Sequence, residues 1–160
     1  MAKEKFPTTQ AIRLLKQHKV DFTPRPYKYE DRGGTAVSAR ELGVDEHRII
    51  KTLVMEDEGK NPLIVLMHGD REVSLKNLAR QIGVKQVSPC PPKHADALTG
   101  YQTGGISPFG TRKTLPVYLE KSILELERIC INGGKRGFLV EISPEDLVRV
   151  LEPTLVEVGI

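Results

Sequence analysis

At 160 residues the chain has the length of one domain, residues 1–160, and a domain this size buries about 70% of its unfolded surface without needing disulfides or a metal. A make-up of 39% hydrophobic and 28% charged residues, with 14 glycines and 11 prolines, excludes the low-complexity and disordered classes. The longest apolar run, Leu63-Ile64-Val65-Leu66-Met67, falls far short of the roughly 18 residues of a membrane span, and a net charge of +3 permits nucleic-acid contact without demanding it. The N-terminus, MAKEKFPTTQ, is charged and no apolar stretch follows it. No signal peptide is expected, and the protein is predicted to be cytoplasmic, away from membranes.

In chain order, Thr8 is placed to cap a helix whose apolar face is Ala11, Ile12, Leu14 and Leu15, ending near Lys19. Pro26 to Tyr29 reads as a short strand, and a helix from Ala36 to Leu42 follows the Gly33-Gly34 break. Arg48–Glu56 and Leu63–His68 are strands joined by the turn Glu58-Gly59-Lys60-Asn61. Ser74 caps a helix carrying Leu75, Leu78, Ala79 and Ile82, which Gly83 stops. Pro89, Pro91 and Pro92 punctuate a loop before a short helix ending at Gly100. Strands follow at Leu115–Leu119, Arg128–Ile131 and Gly137–Ile142. Ser143-Pro144-Glu145-Asp146 opens a last helix, with Leu155–Val158 as a final strand. This irregular mixture of helices and hairpin strands predicts an α+β domain on a mixed sheet, not a doubly wound fold.

Lys51 is the most unusual residue. On a strand it shares a face with Ile49, Leu53 and Met55, where an amine must be paired, depressed in pKa, facing a cavity, or snorkelling to water from an edge strand. The run Gly100 to Gly110, GYQTGGISPFG, and the run Asn132 to Gly137, NGGKRG, each join glycines to nearby positive charge. Backbone N–H groups there have the freedom to cradle an anion or an oxyanion, although an irregular connection or a tight hairpin would look the same. Neither matches a P-loop or a dinucleotide fingerprint. The histidines at 18, 47, 68 and 94 show no metal-ligand spacing, and Cys90 and Cys130 form no CxxC pair, so no metal or other cofactor is expected. Cys90 and His94 are four apart, yet Pro91 and Pro92 stand between them and spoil a shared helical face.

Three segments, HRIIKTLV around Lys51, TGYQTGGISPFGTRKTLP and GGKRGFLVEISPEDL, together resemble the YbaK family of trans-acting aminoacyl-tRNA deacylases, relatives of the editing domain of bacterial prolyl-tRNA synthetases. The likeness spans nearly the whole chain, in order. It implies an α+β fold around a curved mixed sheet and hydrolysis of mischarged tRNA, foremost cysteine on proline tRNA. Aminoacyl-tRNA is then the substrate and prolyl-tRNA synthetase a candidate partner. Alanine, serine or threonine as the edited residue, or a non-catalytic tRNA-binding or regulatory module, are the alternatives.

By the resemblance, Lys51 matches the essential lysine. Gly104, Gly105, Ile106, Ser107 and Pro108 match a loop lining the aminoacyl pocket, Gly105 supplying an oxyanion donor, and Tyr27 matches a pocket tyrosine. Arg112, Lys113, Lys135 and Arg136 are the expected tRNA contacts. Asn132, counted with the pocket, stands where cysteine editors usually have serine, Leu139 at an often polar position, and Tyr29 in place of a frequent histidine. The family's cysteine editors are understood to let the substrate's own thiol attack its ester, releasing a cyclic thioester, which fits a chain without an obvious nucleophile.

Overall fold

A computed structural model describes residues 6–160; residues 1–5, half of the segment read for a signal peptide, lie outside it. Helices α1 (Gln10–Gln17), α2 (Gly34–Leu42), α3 (Leu75–Ile82), α4 (Pro92–Thr99) and α5 (Pro144–Leu151) pack on one mixed sheet. Its strands are β1 (Thr23–Pro26), β2 (Ile49–Asp57), β3 (Pro62–His68), β4 (Val87–Pro89), β5 (Val117–Glu120), β6 (Ile129–Lys135), β7 (Phe138–Ile142) and β8 (Thr154–Val156). They run in the order β1-β7-β6-β2-β3-β5-β8, with β4 antiparallel to the far end of β2. β2–β6, β3–β5 and β5–β8 are parallel, and the other pairs antiparallel.

Most elements lie where the sequence puts them. Ser74 and Ser143 accept the N–H of Asn77 and Asp146, at 3.3 and 3.2 Å, and so open α3 and α5. Three expectations shift. Thr9, not Thr8, caps α1, its hydroxyl accepting the Ile12 N–H at 3.1 Å. The first strand is Thr23–Pro26 and not Pro26–Tyr29, because its antiparallel partner β7 begins at Phe138, opposite Pro26. The proline loop after Gly83 contains β4, whose short run pairs with β2 from Val87 to Pro89.

Strand alternation splits the core. Ile50 and Val54 of β2 join Ile64, Leu66, Ile131 and Val140 beneath α1 and α5. On the opposite face, Met55, Leu63, Val65 and Met67 lie under Leu78 and Ala79 of α3, while Ile49, Cys130 and Leu139 pack against Ala39 and Leu42 of α2. Lys51 belongs to that second face, at the seam between the α2 and α3 clusters.

At the end of β3, His68 is fully buried. Its Nδ1 lies 2.8 Å from the His47 carbonyl and its Nε2 2.7 Å from Ser122 Oγ. A carbonyl only accepts, so Nδ1 carries the proton and Nε2 accepts from Ser122. Burial holds this imidazole below its ordinary pKa.

Candidate active site

The site begins with a break in the sheet. β2 pairs with β6 only at Ile49 and Ile50, and with β4 only from Met55 onward. The Ile49 carbonyl accepts the Gly69 N–H on the β3 side, whereas the Val54 carbonyl accepts the Cys90 N–H on the β4 side. By alternation Thr52, in phase with Val54, directs its backbone into the interval between β6 and β4. Its hydroxyl oxygen is buried and has no hydrogen-bond partner among the described residues.

β6 leaves β2 because of its own glycines. The register with β7 shifts between Asn132 and Lys135, and Gly134 sits at φ +100°, a left-handed backbone that a side chain would strain. Asn132 Oδ1 holds the bulge by accepting the Gly134 N–H at 2.6 Å and the Lys135 N–H at 3.2 Å. The resulting cleft encloses ≈ 390 Å³. Lys51 and Thr52 line its floor, α2 one side, and Thr103, Gly104, Ile106, Asn132 and Arg136 the other.

The loop wall is locked to the bulge. Arg136 Nε donates to the Thr103 carbonyl at 2.8 Å, and its guanidinium lies 5.4 Å from the centre of the Tyr29 ring. Asn132 Nδ2 reaches the Gly104 carbonyl at 3.5 Å. Gly104 has φ +92°, and a Cβ there would meet the Tyr29 hydroxyl. A Cβ on Gly105 would stand 2.6 Å from the Arg136 backbone nitrogen, so this glycine is set by the approach of two main chains. Beneath the loop, Tyr101 donates to the Phe109 carbonyl, and burial pushes its hydroxyl pKa up to about 12.

Lys51, Tyr27, Gly104, Ile106, Asn132 and Arg136 therefore converge on one cleft. Lys51 is half-buried and takes part in no ion pair among the described residues. Burial raises the pKa of the Tyr27 hydroxyl, against a lowering contact from Ser38. Other expected residues stand elsewhere. Gly105 is buried, and its N–H is committed to the Gln102 carbonyl at 2.7 Å, so this donor does not meet an oxyanion as expected. Ser107 and Pro108 are buried outside the cleft lining, Ser107 Oγ accepting the Phe109 N–H at 3.2 Å; both shape the loop from below. Lys135 is exposed and does not line the cleft. Arg112 and Lys113 also stand outside the lining, their N–H groups closing the last turn of α4 onto the Thr99 and Leu98 carbonyls, each at 2.9 Å, with both side chains exposed.

Sequence reading passed over Thr52 altogether. Its only signal was adjacency to Lys51, since the break in the sheet that its backbone faces lies beside a bulge 80 residues away. Of the cleft-lining residues none is histidine or cysteine, and the one serine, Ser38, bonds back to the Thr35 and Gly34 carbonyls of its own helix.

The family model for the aminoacyl-tRNA editing domain matches residues 31–150. EbsC of Enterococcus faecalis, named as a candidate Cys-tRNA(Pro)/Cys-tRNA(Cys) deacylase, is 34% identical over 160 residues, covering 99% of this chain and 98% of its own. The proline–tRNA ligase of Thermodesulfovibrio yellowstonii is 32% identical over 110 residues, 69% of this chain and 18% of the ligase. A solved structure described as a candidate trans-editing enzyme for prolyl-tRNA synthetase superposes with a TM-score of 0.82 at 21% identity, covering 97% of this chain and 99% of that one, which establishes the shared fold.

Proposed function

The chain belongs to the aminoacyl-tRNA editing domain family, and within it we propose that it is a free-standing deacylase that removes cysteine from mischarged proline tRNA. One observation carries the reading: the cleft offers a cationic floor and unspent polar donors, but no histidine or cysteine to attack the ester. An aminoacyl ester is already reactive, so positioning and charge stabilisation suffice.

In this mechanism the substrate's thiol, once deprotonated, attacks the ester carbonyl carbon. A carbon–sulfur bond forms, the bond to the ribose oxygen breaks, and that oxygen takes up a proton as the cyclic thioester leaves. Lys51 holds the terminal adenosine or its phosphate. The Thr52 backbone and its buried, unpartnered hydroxyl take the place of Gly105 as donors toward the developing oxyanion. Tyr27 and Ile106 enclose the amino-acid side chain. Arg136 and Lys135 beside the cleft, with Arg112 and Lys113 farther along, meet the tRNA backbone by charge. The enzyme acts in the cytoplasm, with prolyl-tRNA synthetase as the natural source of its substrate.

Discrimination between small residues in such a site is worth only about 1–3 kcal/mol per methylene, so the reacting group must decide specificity. The apolar wall at Leu139 favours alanine as the second reading. Single-turnover deacylation of proline tRNA charged with cysteine, S-methylcysteine, alanine, serine or threonine separates them. Cysteine is expected to be fastest and S-methylcysteine inert. Equal turnover of alanine and cysteine would replace the thiol mechanism with water attack.

A further inference from the structure

At the other end of β2, away from the cleft, three side chains of metal-ligating type meet. Cys90 Sγ lies 3.5 Å from His94 Nδ1, and the same nitrogen lies 4.0 Å from Glu56 Oε2. All three donor atoms fall within 4.8 Å of one another. The prolines expected to hold Cys90 and His94 apart bring them together: Pro91 is the residue preceding α4 and Pro92 its first, so His94 turns back from the first turn over the incoming chain. β4 sets Glu56 opposite Ser88, and the Cys90 N–H bonds to the Val54 carbonyl, which fixes the cysteine beside the same strand.

From this juxtaposition the geometry points to a binding site for a late first-row divalent metal ion, zinc foremost, held by Cys90 Sγ, His94 Nδ1 and Glu56. Zinc–sulfur and zinc–nitrogen bonds of about 2.3 and 2.0–2.1 Å at a tetrahedral angle put sulfur and nitrogen about 3.5 Å apart. The observed Cys90–His94 separation is that value, and rotation of the Glu56 side chain brings in the third ligand. Thiolate, imidazole and carboxylate select zinc or its neighbours over magnesium or calcium. The His94 side chain is 47% exposed, which leaves a route for the ion and room for a water as fourth ligand.

The local charge agrees. Burial and the Glu56 carboxylate push the Cys90 thiol up, and among the described residues no lysine or arginine is ion-paired to Glu56. A cation between these groups reverses that repulsion and deprotonates the thiol. The second cluster of similar composition, His47, His68 and Asp70, does not share this capacity, because both ring nitrogens of the buried His68 are already bonded.

The ion would brace the start of α4 against β2. The same helix steers the cleft loop, since Asp96 accepts from the Thr103 hydroxyl at 2.7 Å.

Cobalt(II) titration of chelator-treated full-length protein tests the site, followed by displacement with zinc. One equivalent per chain is expected, with four-coordinate visible bands and a thiolate-to-cobalt band in the near ultraviolet, both erased by zinc. Cys90→Ser should lose the thiolate band, and Cys130→Ser should keep it. His94→Ala and Glu56→Gln, changes at less buried positions that spare the core, should each weaken binding by about tenfold or more. Substoichiometric binding, a thiolate band surviving in Cys90→Ser, or affinity unchanged in His94→Ala would overturn the proposal. Should Cys90→Ser fail to fold, the His94 and Glu56 variants decide it alone.

Discussion

On the loop wall of the cleft the polar groups answer one another: Gly105 N–H to Gln102, Arg136 to Thr103, Asn132 to the Gly134 and Lys135 backbone. On the β2 floor, a few ångströms of sheet away, Lys51 has no ionic partner and the Thr52 hydroxyl no hydrogen bond at all among the described residues. Both stretches looked chemical in the sequence, Lys51 more so than the glycine-rich run. In the proposed mechanism the first supplies shape and the second recognition, a reading supported at Thr52 because a buried polar atom left open is unfavourable unless a ligand completes it.

Variants on the two walls should therefore separate activity from stability. The largest effect is expected from Lys51→Ala, which should lower single-turnover deacylation of Cys-tRNA(Pro) by about 10²–10³ or more while the thermal melt stays put or rises. Lys51→Arg should not restore it, because a planar fork does not fill the place of a compact ammonium. A fully active Lys51→Ala would move the lysine from the floor's chemistry to its surface.

On the opposite wall, Gly105→Ala should lose activity and stability together. Its new methyl would meet main chain at 2.6 Å, with overpacking worth about 1–3 kcal/mol. Gly133→Ala makes the sharper control. Its methyl would meet the Phe138 ring at 2.5 Å, and a ring has more freedom to shift than a backbone, so the melting temperature should fall less. If Gly105→Ala lost only activity, the division between the walls would fail.

The smallest effect belongs to Thr52→Val. Removing a hydrogen bond to the developing oxyanion, with the Thr52 backbone still in place, costs about 1.5–3 kcal/mol, roughly tenfold to a hundredfold in rate. Stability should hold or increase, because an orphaned buried hydroxyl disappears with the change. A destabilised Thr52→Val would show that the hydroxyl has a partner in the free protein.

Helix starts were legible because their causes are local: Ser74 and Ser143 each serve an N–H three residues on. The Lys51 anomaly was legible because strand alternation is equally local. The break in the sheet was not, since it depends on β6 leaving β2 at Ile131 while β4 joins only at Met55. The first strand was misplaced for a similar reason: the chain from Thr23 to Tyr29 is suited to extension throughout, and only the start of β7 at Phe138 decides which part pairs. The two prolines between Cys90 and His94 misled because they were judged as helix breakers, whereas they stand at a helix start.

The buried His68 gives the fold a proton linkage. Its imidazole is held neutral chiefly by burial, so its folded pKa lies below the unfolded value of 6.5. The unfolded chain then takes up the proton first as pH falls, and stability rises with pH in the window just below 6.5. Above 6.5 the contribution is complete; below it, protonation would force an N–H at Nε2 toward Ser122 and place an imidazolium against the ring of His47, 3.7 Å away. Urea midpoints measured between pH 7.5 and 5 should therefore slide downward, and less steeply in His68→Gln. Slopes equal in the two proteins would free His68 of the effect. Through this one side chain, acid should loosen the turn at residues 121–125 and the segment before β2 together, one step along the β2–β3 ladder from Lys51.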